Sequence, residues 1–238
     1  MMLTLQDLLR TRTVQPPLNK AMYFDGVDDR IQIPISSSLM NFYAKSVILL
    51  LRPFSYPSVW EPYDGGYWVS PYGDLYQNIG TSLFYYLKNN AGTVVSMGYG
   101  IPSSELYTWH HLTTTWDGLT AKLYFNSKLV ASTSFSGTLA SSAYPHTIGS
   151  RFNGEYPFKG YMAQVLIYSR ALSNSEIIHN MSNPNNPIRD GLVLWLDARA
   201  CDTSKNICWD LSGNGNHGTM YNVQIVSLPN QVVVGGRM

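Results

Sequence analysis

Residues 109–131 read WHHLTTTWDGLTAKLYFNSKLVA, and this stretch decides the fold. Asp117-Gly118 and Asn126-Ser127 are turn signals, each flanked by alternating apolar and polar residues. Tight hairpin turns demand positive φ, which Gly adopts freely and Asn and Asp tolerate. Leu112, Thr114 and Trp116 share one face of a first strand. Leu123 and Phe125 share that of a second, and Leu129 and Ala131 that of a third. The period of two predicts antiparallel strands with one buried face, joined as a meander.

Composition extends this reading to the whole chain. Its 238 residues include 17 Tyr, 6 Trp and 8 Phe, with 13% charged residues. Gly and Pro, 19 and 13 in number, punctuate the chain at short intervals, as they do in all-β proteins. The length suffices for one sandwich with appendages. The net charge is +1 without a long basic run, so nucleic acid has no electrostatic footprint to bind. No apolar stretch reaches the about 18 residues that a membrane-spanning helix needs. The start, MMLTLQDLLRTRT, lacks the charged and apolar blocks of a signal peptide. An extracellular protein would then be shown in mature form or leave the cell by another route, such as inside a virus particle.

Further motifs follow in a recognisable order. Tyr23-Phe24-Asp25-Gly26-Val27-Asp28-Asp29 leads into a strand over 30–34. Then come Trp109-His110-His111-Leu112, Trp116-Asp117-Gly118, the strand over 123–130, Ile148-Gly149 and Phe158-Lys159-Gly160. Val165 to Ser173 precedes Glu176-Ile177. Over roughly residues 21–180 this order resembles a laminin-G-like domain of the concanavalin A-like lectin/glucanase superfamily. The resemblance implies a jelly-roll sandwich of two curved antiparallel sheets. That fold hosts sugar binding, protein binding, adhesion and glycoside hydrolysis, so it names no function by itself.

The chain divides into three parts. Residues 1–20 form an arm, with a turn or two of helix from Thr4 and an extended Pro16-Pro17. Residues 21–188 form the jelly roll, ending in one short helix near 173–181. Ser173 and Glu176 make its capping box, and Ile177 and Ile178 are placed to dock on the core. The run 183–187 reads as a linker or sharp turn. Residues 189–238 are out of order, because Asp190 to Asp197 and Asp210 to Thr219 resemble the opening of a laminin-G-like domain. The strand Leu192–Leu196 is apolar on both faces and must pair with something. It folds back into its own sandwich, completes a neighbour's, or begins a second module. Self-assembly through 1–20 and 189–238 is the partner this would imply.

Cys201 and Cys208 flank a loop. They form either a small disulfide, fitting an extracellular domain, or two reduced thiols. No zinc spacing is present. Asn180-Met181-Ser182 fits the N-glycosylation pattern.

Catalysis finds little support. Glycoside hydrolysis needs two carboxylates about 5–9.5 Å apart across the sugar bond. The four glutamates, Glu61, Glu105, Glu155 and Glu176, have no acidic partner at i+2 or i+4 on a plausible strand. His110 and His111 alternate on a strand with no nucleophile at suggestive spacing, and read as structural. No cofactor is required on this reading. The resemblance implies calcium as a candidate ion, with Asp25, Asp28 and Asp29 as ligands. However, Tyr161-Met162-Ala163-Gln164 stands where many relatives carry acidic residues. The same aspartates also suit turn bracing by bonds to local amides.

The ligand-site candidate is the aromatic segment 60–74. It carries Trp60, Tyr63, Tyr67, Trp68 and Tyr72, with Asp64 and Asp74 among them. Aromatic faces stack on the C–H faces of sugars, and carboxylates accept from sugar hydroxyls. The same residues suit a protein interface or a covered sheet edge. The expectation is a non-catalytic, lectin-like recognition or adhesion module, extracellular or on a virion surface. Its partner would be a cell-surface carbohydrate or receptor. The alternative is a structural subunit of an extracellular assembly such as a virion coat, spike or fibre.

Overall fold

The computed structural model describes residues 18–40, 42–54, 69–70, 74–79, 82–101, 103–139, 145–150 and 157–229. For 69–70, 74–79 and 82–84 the backbone alone is described. The expected helical turn after Thr4 therefore lies outside the described residues, as do Trp60, Tyr63, Asp64, Tyr67, Trp68 and Tyr72.

The described chain is built of antiparallel β-strands and one α-helix. The strands are β1 (Lys20–Asp25), β2 (Arg30–Ile33), β3 (Lys45–Pro53), β4 (Val69–Ser70), β5 (Asp74–Ile79), β6 (Ser82–Lys88), β7 (Val94–Gly100) and β8 (His110–Trp116). They continue as β9 (Thr120–Phe125), β10 (Lys128–Ser134), β11 (His146–Ile148), β12 (Lys159–Tyr168), β13 (Leu192–Asp202), β14 (Ile207–Asp210), β15 (Gly218–Tyr221) and β16 (Gln224–Ser227). Helix α1 spans Asn174–Ser182.

The meander of β8, β9 and β10 is as the turn signals predict. Asp117 accepts from the amides of Leu119 and Thr120, and Gly118 takes φ 93°. Asn126 and Ser127 both have positive φ, at 50° and 62°, the conformation that a two-residue hairpin favours. Two details differ from the simple alternation. Strand β8 is buried on both faces rather than one. The register shifts between Leu129 and Ala131, leaving Leu129 49% exposed while Ala131 packs on the core. A bulge of this kind rotates the side chains that follow it.

The main sheet runs β10-β9-β8-β3-β12-β13-β14-β15-β2-β11-β4, with β1 on β12 and β16 on β1. A second sheet runs β5-β6-β7. Strand β12 pairs along one edge with β3, and along the other with β1 and then β13. Tyr85, Leu87 and Met97 of the small sheet share one core with Leu112, Leu123 and Phe125 of the meander and with Ile31, Ile148 and Met220 of the far strands. The outer side of β3 and β12 is also apolar. There Ile48, Leu166 and Tyr168 meet Leu172 and Ile177 of the helical segment.

The out-of-order strand β13 is hydrogen-bonded on both edges by its own chain, to β12 and to β14. Cys201 and Cys208 face each other on β13 and β14 and are joined by a disulfide. The capping box of α1 is complete, and Arg170 pairs with Glu176 at 2.6 Å. That guanidinium holds the Glu176 carboxyl down at about 2. Ile177 docks on the core, whereas Ile178 turns outward and is 44% exposed. Only one of the two neighbours on a helix can face the sheet.

Asn180 is buried. Its amide donates to the Tyr168 hydroxyl at 3.0 Å, and its carbonyl accepts from Ile188 N. The Asn180-Met181-Ser182 tripeptide is therefore a structural brace with no face open to a glycosyl donor.

Candidate functional site

The end of the sheet where β3 finishes collects exposed aromatic surface. Alternation puts Leu49 and Leu51 of β3 in the core, and Arg52 and the following Phe54 on the opposite side. The same alternation brings Tyr161 of β12 and Tyr23 of β1 beside them, paired with each other across the sheet. Tyr161 sits edge-on to Phe54 at 4.7 Å and to Tyr23 at 5.6 Å. Trp109, buried, stacks behind Tyr161 at 6.4 Å.

Tyr107 completes the group and is the exposed member, with 56% of its surface accessible. Its ring stacks on Phe54 at 5.3 Å. The backbone there takes φ 61°, a costly conformation for a non-glycine residue. Two bonds hold it: Tyr107 N donates to Pro53 O, and Arg52 Nε donates to Tyr107 O. Thr108 and His110 pin the preceding turn through the Glu105 carbonyl. The arrangement is a rigid aromatic shelf with a guanidinium beneath it, suited to stacking a ring that carries polar substituents.

The shelf residue Phe54 precedes the aromatic candidate segment in the chain. Phe54 is the last residue described before 60–74, and Phe54 N bonds Lys159 O. The chain is picked up again at β4, which pairs with β11 in the far part of the sheet. Of the candidate ligand residues, Asp74 opens β5. Tyr23, Phe54, Tyr107 and Tyr161 are additions that the sequence reading missed. They are separated by up to 138 positions, and only strand register unites them.

Asp25, Asp28 and Asp29 do converge, with one carboxylate oxygen of each within 4.8 Å of the others. Each is already bonded. Asp25 accepts from Val27 N, Asp29 from Asp25 N, and Asp28 from the Asn222 side chain, at 2.7, 2.7 and 3.0 Å. Burial raises the Asp29 carboxyl, and the charges of Asp25 and Asp28 push the same way. Asp210 and the 214–216 loop do not join this group. Asp210 accepts from Trp195 N and Asn216 N, and Asn216 donates to Val193 O.

The other titratable candidates among the described residues are engaged in packing and local bonds. His110 and His111 are both buried, and His111 is held neutral with its pKa lowered to about 3 by burial. Glu105 bonds Thr108, and Glu176 is committed to Arg170 and the helix cap. No helix among the described residues is long and apolar enough to cross a membrane.

The sequence profile of the concanavalin A-like lectin/glucanases superfamily matches residues 25–178. No curated protein matches the chain in sequence. Many solved structures resemble it in fold, three of them as follows. A candidate carbohydrate binding protein from Bacteroides ovatus is 18% identical over 89% of this chain and 60% of its own, with a TM-score of 0.71. The botulinum neurotoxin serotype D ligand binding domain, solved with N-acetylneuraminic acid, is 15% identical over 69% of this chain and 42% of its own, at 0.56. A heptameric SAP-like pentraxin from Limulus polyphemus is 16% identical over 72% of this chain and 84% of its own, at 0.53. The chain thus spans less than two thirds of the first two proteins. Two thirds of its residues match the family profile, and the sandwich has the family's architecture. The chain belongs to the concanavalin A-like lectin/glucanases superfamily, as a laminin-G-like domain.

Proposed function

We propose that this domain is a non-catalytic, lectin-like module that binds carbohydrate at the end of the sheet where β3 finishes. The observation that carries the reading is the exposed Tyr107 ring, held at positive φ and stacked on Phe54. Strain of this kind persists only where surrounding bonds enforce it, and it concentrates at functional sites. Trp60, Tyr63, Asp64, Tyr67, Trp68, Tyr72 and Asp74 remain candidate sugar contacts on this reading. The fold relatives that bind sugars support it, as does the disulfide, which fits an extracellular protein.

Asp25, Asp28 and Asp29 act as turn braces on this reading. Calcium takes six to eight oxygens, and here three carboxylates already accept protein donors.

A glycan array with the wild type, Tyr107→Ala and the Trp60→Ala/Tyr63→Ala double variant tests the site. Loss of binding in both variants, with unchanged thermal unfolding, is the expected result. Retention of every glycan signal in both would remove the aromatic shelf from the function. Turnover of an oligosaccharide would overturn the non-catalytic reading.

A further inference from the structure

A second recessed surface lies at the opposite end of the same strands. It is a cleft of about 490 Å³ lined by Asn89, Thr93, Val95, Leu119, Thr120, Ser134, Phe135 and Ser136. The register fixes its place: Leu51 faces His110 at one end of β3, while Lys45 faces Trp116 at the other. Trp116 leads directly into the turn that carries Leu119. At about 3.3 Å per residue, the nine residues of β3 put the two ends roughly 25 Å apart.

The cleft is a built feature rather than a gap between loops. Asn89 is buried and spans it, donating to Ser136 O at 2.9 Å and accepting from Thr93 N at 2.8 Å. Asn90 N bonds Thr138 O, and Phe135 N bonds Leu119 O. Trp116 Nε1 donates to Phe135 O at 2.8 Å from below. Gly137 takes φ 107°, and a Cβ there would come within 3.1 Å of the Asn89 amide. These bonds tie the β6–β7 turn of the small sheet to the segment that follows β10 in the large one, and that segment to the β8–β9 turn.

Its chemistry is specific. No charged side chain lines it. Thr93, Thr120, Ser134 and Ser136 supply four hydroxyls, and among the described residues none of these hydroxyls is spent on another protein group. Leu119, 70% exposed, and Val95 add apolar surface. A hydroxyl both donates and accepts, so a ring of hydroxyls matches a ligand whose own groups do both. The volume falls within the range of small-molecule sites, about 300–1,000 Å³.

We infer that this cleft is a second saccharide site, taking a single neutral pyranose unit and rejecting anionic sugars. The site stands on its own geometry and does not depend on the aromatic shelf.

The test is an amide NMR titration of the full chain with glucose, galactose, N-acetylglucosamine and N-acetylneuraminic acid, each added separately. At least one neutral sugar should shift the Leu119, Thr120, Ser134 and Ser136 amides saturably. N-acetylneuraminic acid should leave them in place. Ser134→Phe, which fills the cleft from an exposed position, should weaken the neutral sugar at least tenfold. Thr120→Val, which removes one hydroxyl and keeps the strand, should weaken it severalfold and decides the matter where Ser134→Phe misfolds. Tyr107→Ala should leave these shifts unchanged, so failure of the aromatic site reads out separately. Four results would overturn the inference: no saturable shift at these amides, shifts indifferent to the cleft variants, shifts lost with Tyr107, or a response to the anionic sugar alone.

Discussion

The two ends of the sheet containing β3, β8 and β12 are chemically unlike. The end with Phe54, Tyr107 and Tyr161 presents ring faces and a guanidinium. The end with Leu119, Thr120 and Ser134 presents hydroxyls around a neutral recess. One strand can serve both because the shelf and the cleft border opposite ends of it. The difference teaches that such a scaffold carries two binding chemistries with little coupling, provided each end has its own brace. At the first end the brace is the bonding between Tyr107, Pro53 and Arg52. At the second it is Asn89.

Trp116→Ala should break the comparison most severely. Trp116 is fully buried, meets Phe135 edge-on at 5.6 Å and bonds its carbonyl. The loss should be about 3–5 kcal/mol in denaturant unfolding. Where the variant still folds in the cold, the cleft amides should broaden while those around Tyr107 keep their positions.

Acid should come next, and it should strike both ends. His111 lies towards the aromatic end and His146 on β11 at the other, near Lys45. Burial lowers both to about 3. Their folded pKa values lie below the unfolded value of about 6.5, so protons bind the unfolded chain more readily. Stability is therefore full above pH 6.5 and falls as pH drops towards 3, by about 1.4 kcal/mol per pH unit for each histidine. Unfolding followed between pH 7 and pH 5 checks this, and either His111→Gln or His146→Gln should flatten the slope, the remainder coming from the other histidine and from His110, which burial also lowers.

Tyr107 sharpens the contrast at a smaller scale. Tyr107→Gly relieves the positive φ, whereas Tyr107→Ala retains it. The Gly variant should be more stable than the Ala variant by about 1 kcal/mol, and both should lose glycan binding at the shelf. Equal stability would mean that the conformation carries no strain.

Asp29→Asn should do least. Burial and its acidic neighbours raise the carboxyl and so oppose its charge, which Asn removes while retaining an acceptor for Asp25 N. At neutral pH the melting temperature should hold or rise slightly, with and without added calcium. A calcium-dependent rise in the wild type that the variant lacks would convert the turn brace into an ion site.

Local signals in the sequence proved readable wherever a short run dictates its own geometry. Asn126-Ser127, Asp117-Gly118 and the Ser173/Glu176 cap form as their residue types demand. The pairing of Cys201 with Cys208 was one of two readings left open, and strand register brings the two together. Surfaces assembled over long separations were not readable. The cleft joins Asn89 to Ser136, and the shelf joins Tyr23 to Tyr161. The burial of Asn180 is illegible in the sequence for a related reason, since its partners Tyr168 and Ile188 flank the helix on both sides. The expected site residues Trp60, Tyr63, Asp64, Tyr67, Trp68 and Tyr72 lie outside the described residues, and Asp74 alone of that set is on a described strand.

Strands β1 and β16 lie side by side, and Leu228 N bonds Asn19 O. A short peptide could therefore bridge positions 19 and 228, with a new opening cut in the surface turn at Asn186. Every strand pairing would survive this rewiring, and the chain would then begin with β13. The domain could equally be grafted at that junction into a surface loop of an unrelated host, entering and leaving at nearly the same point.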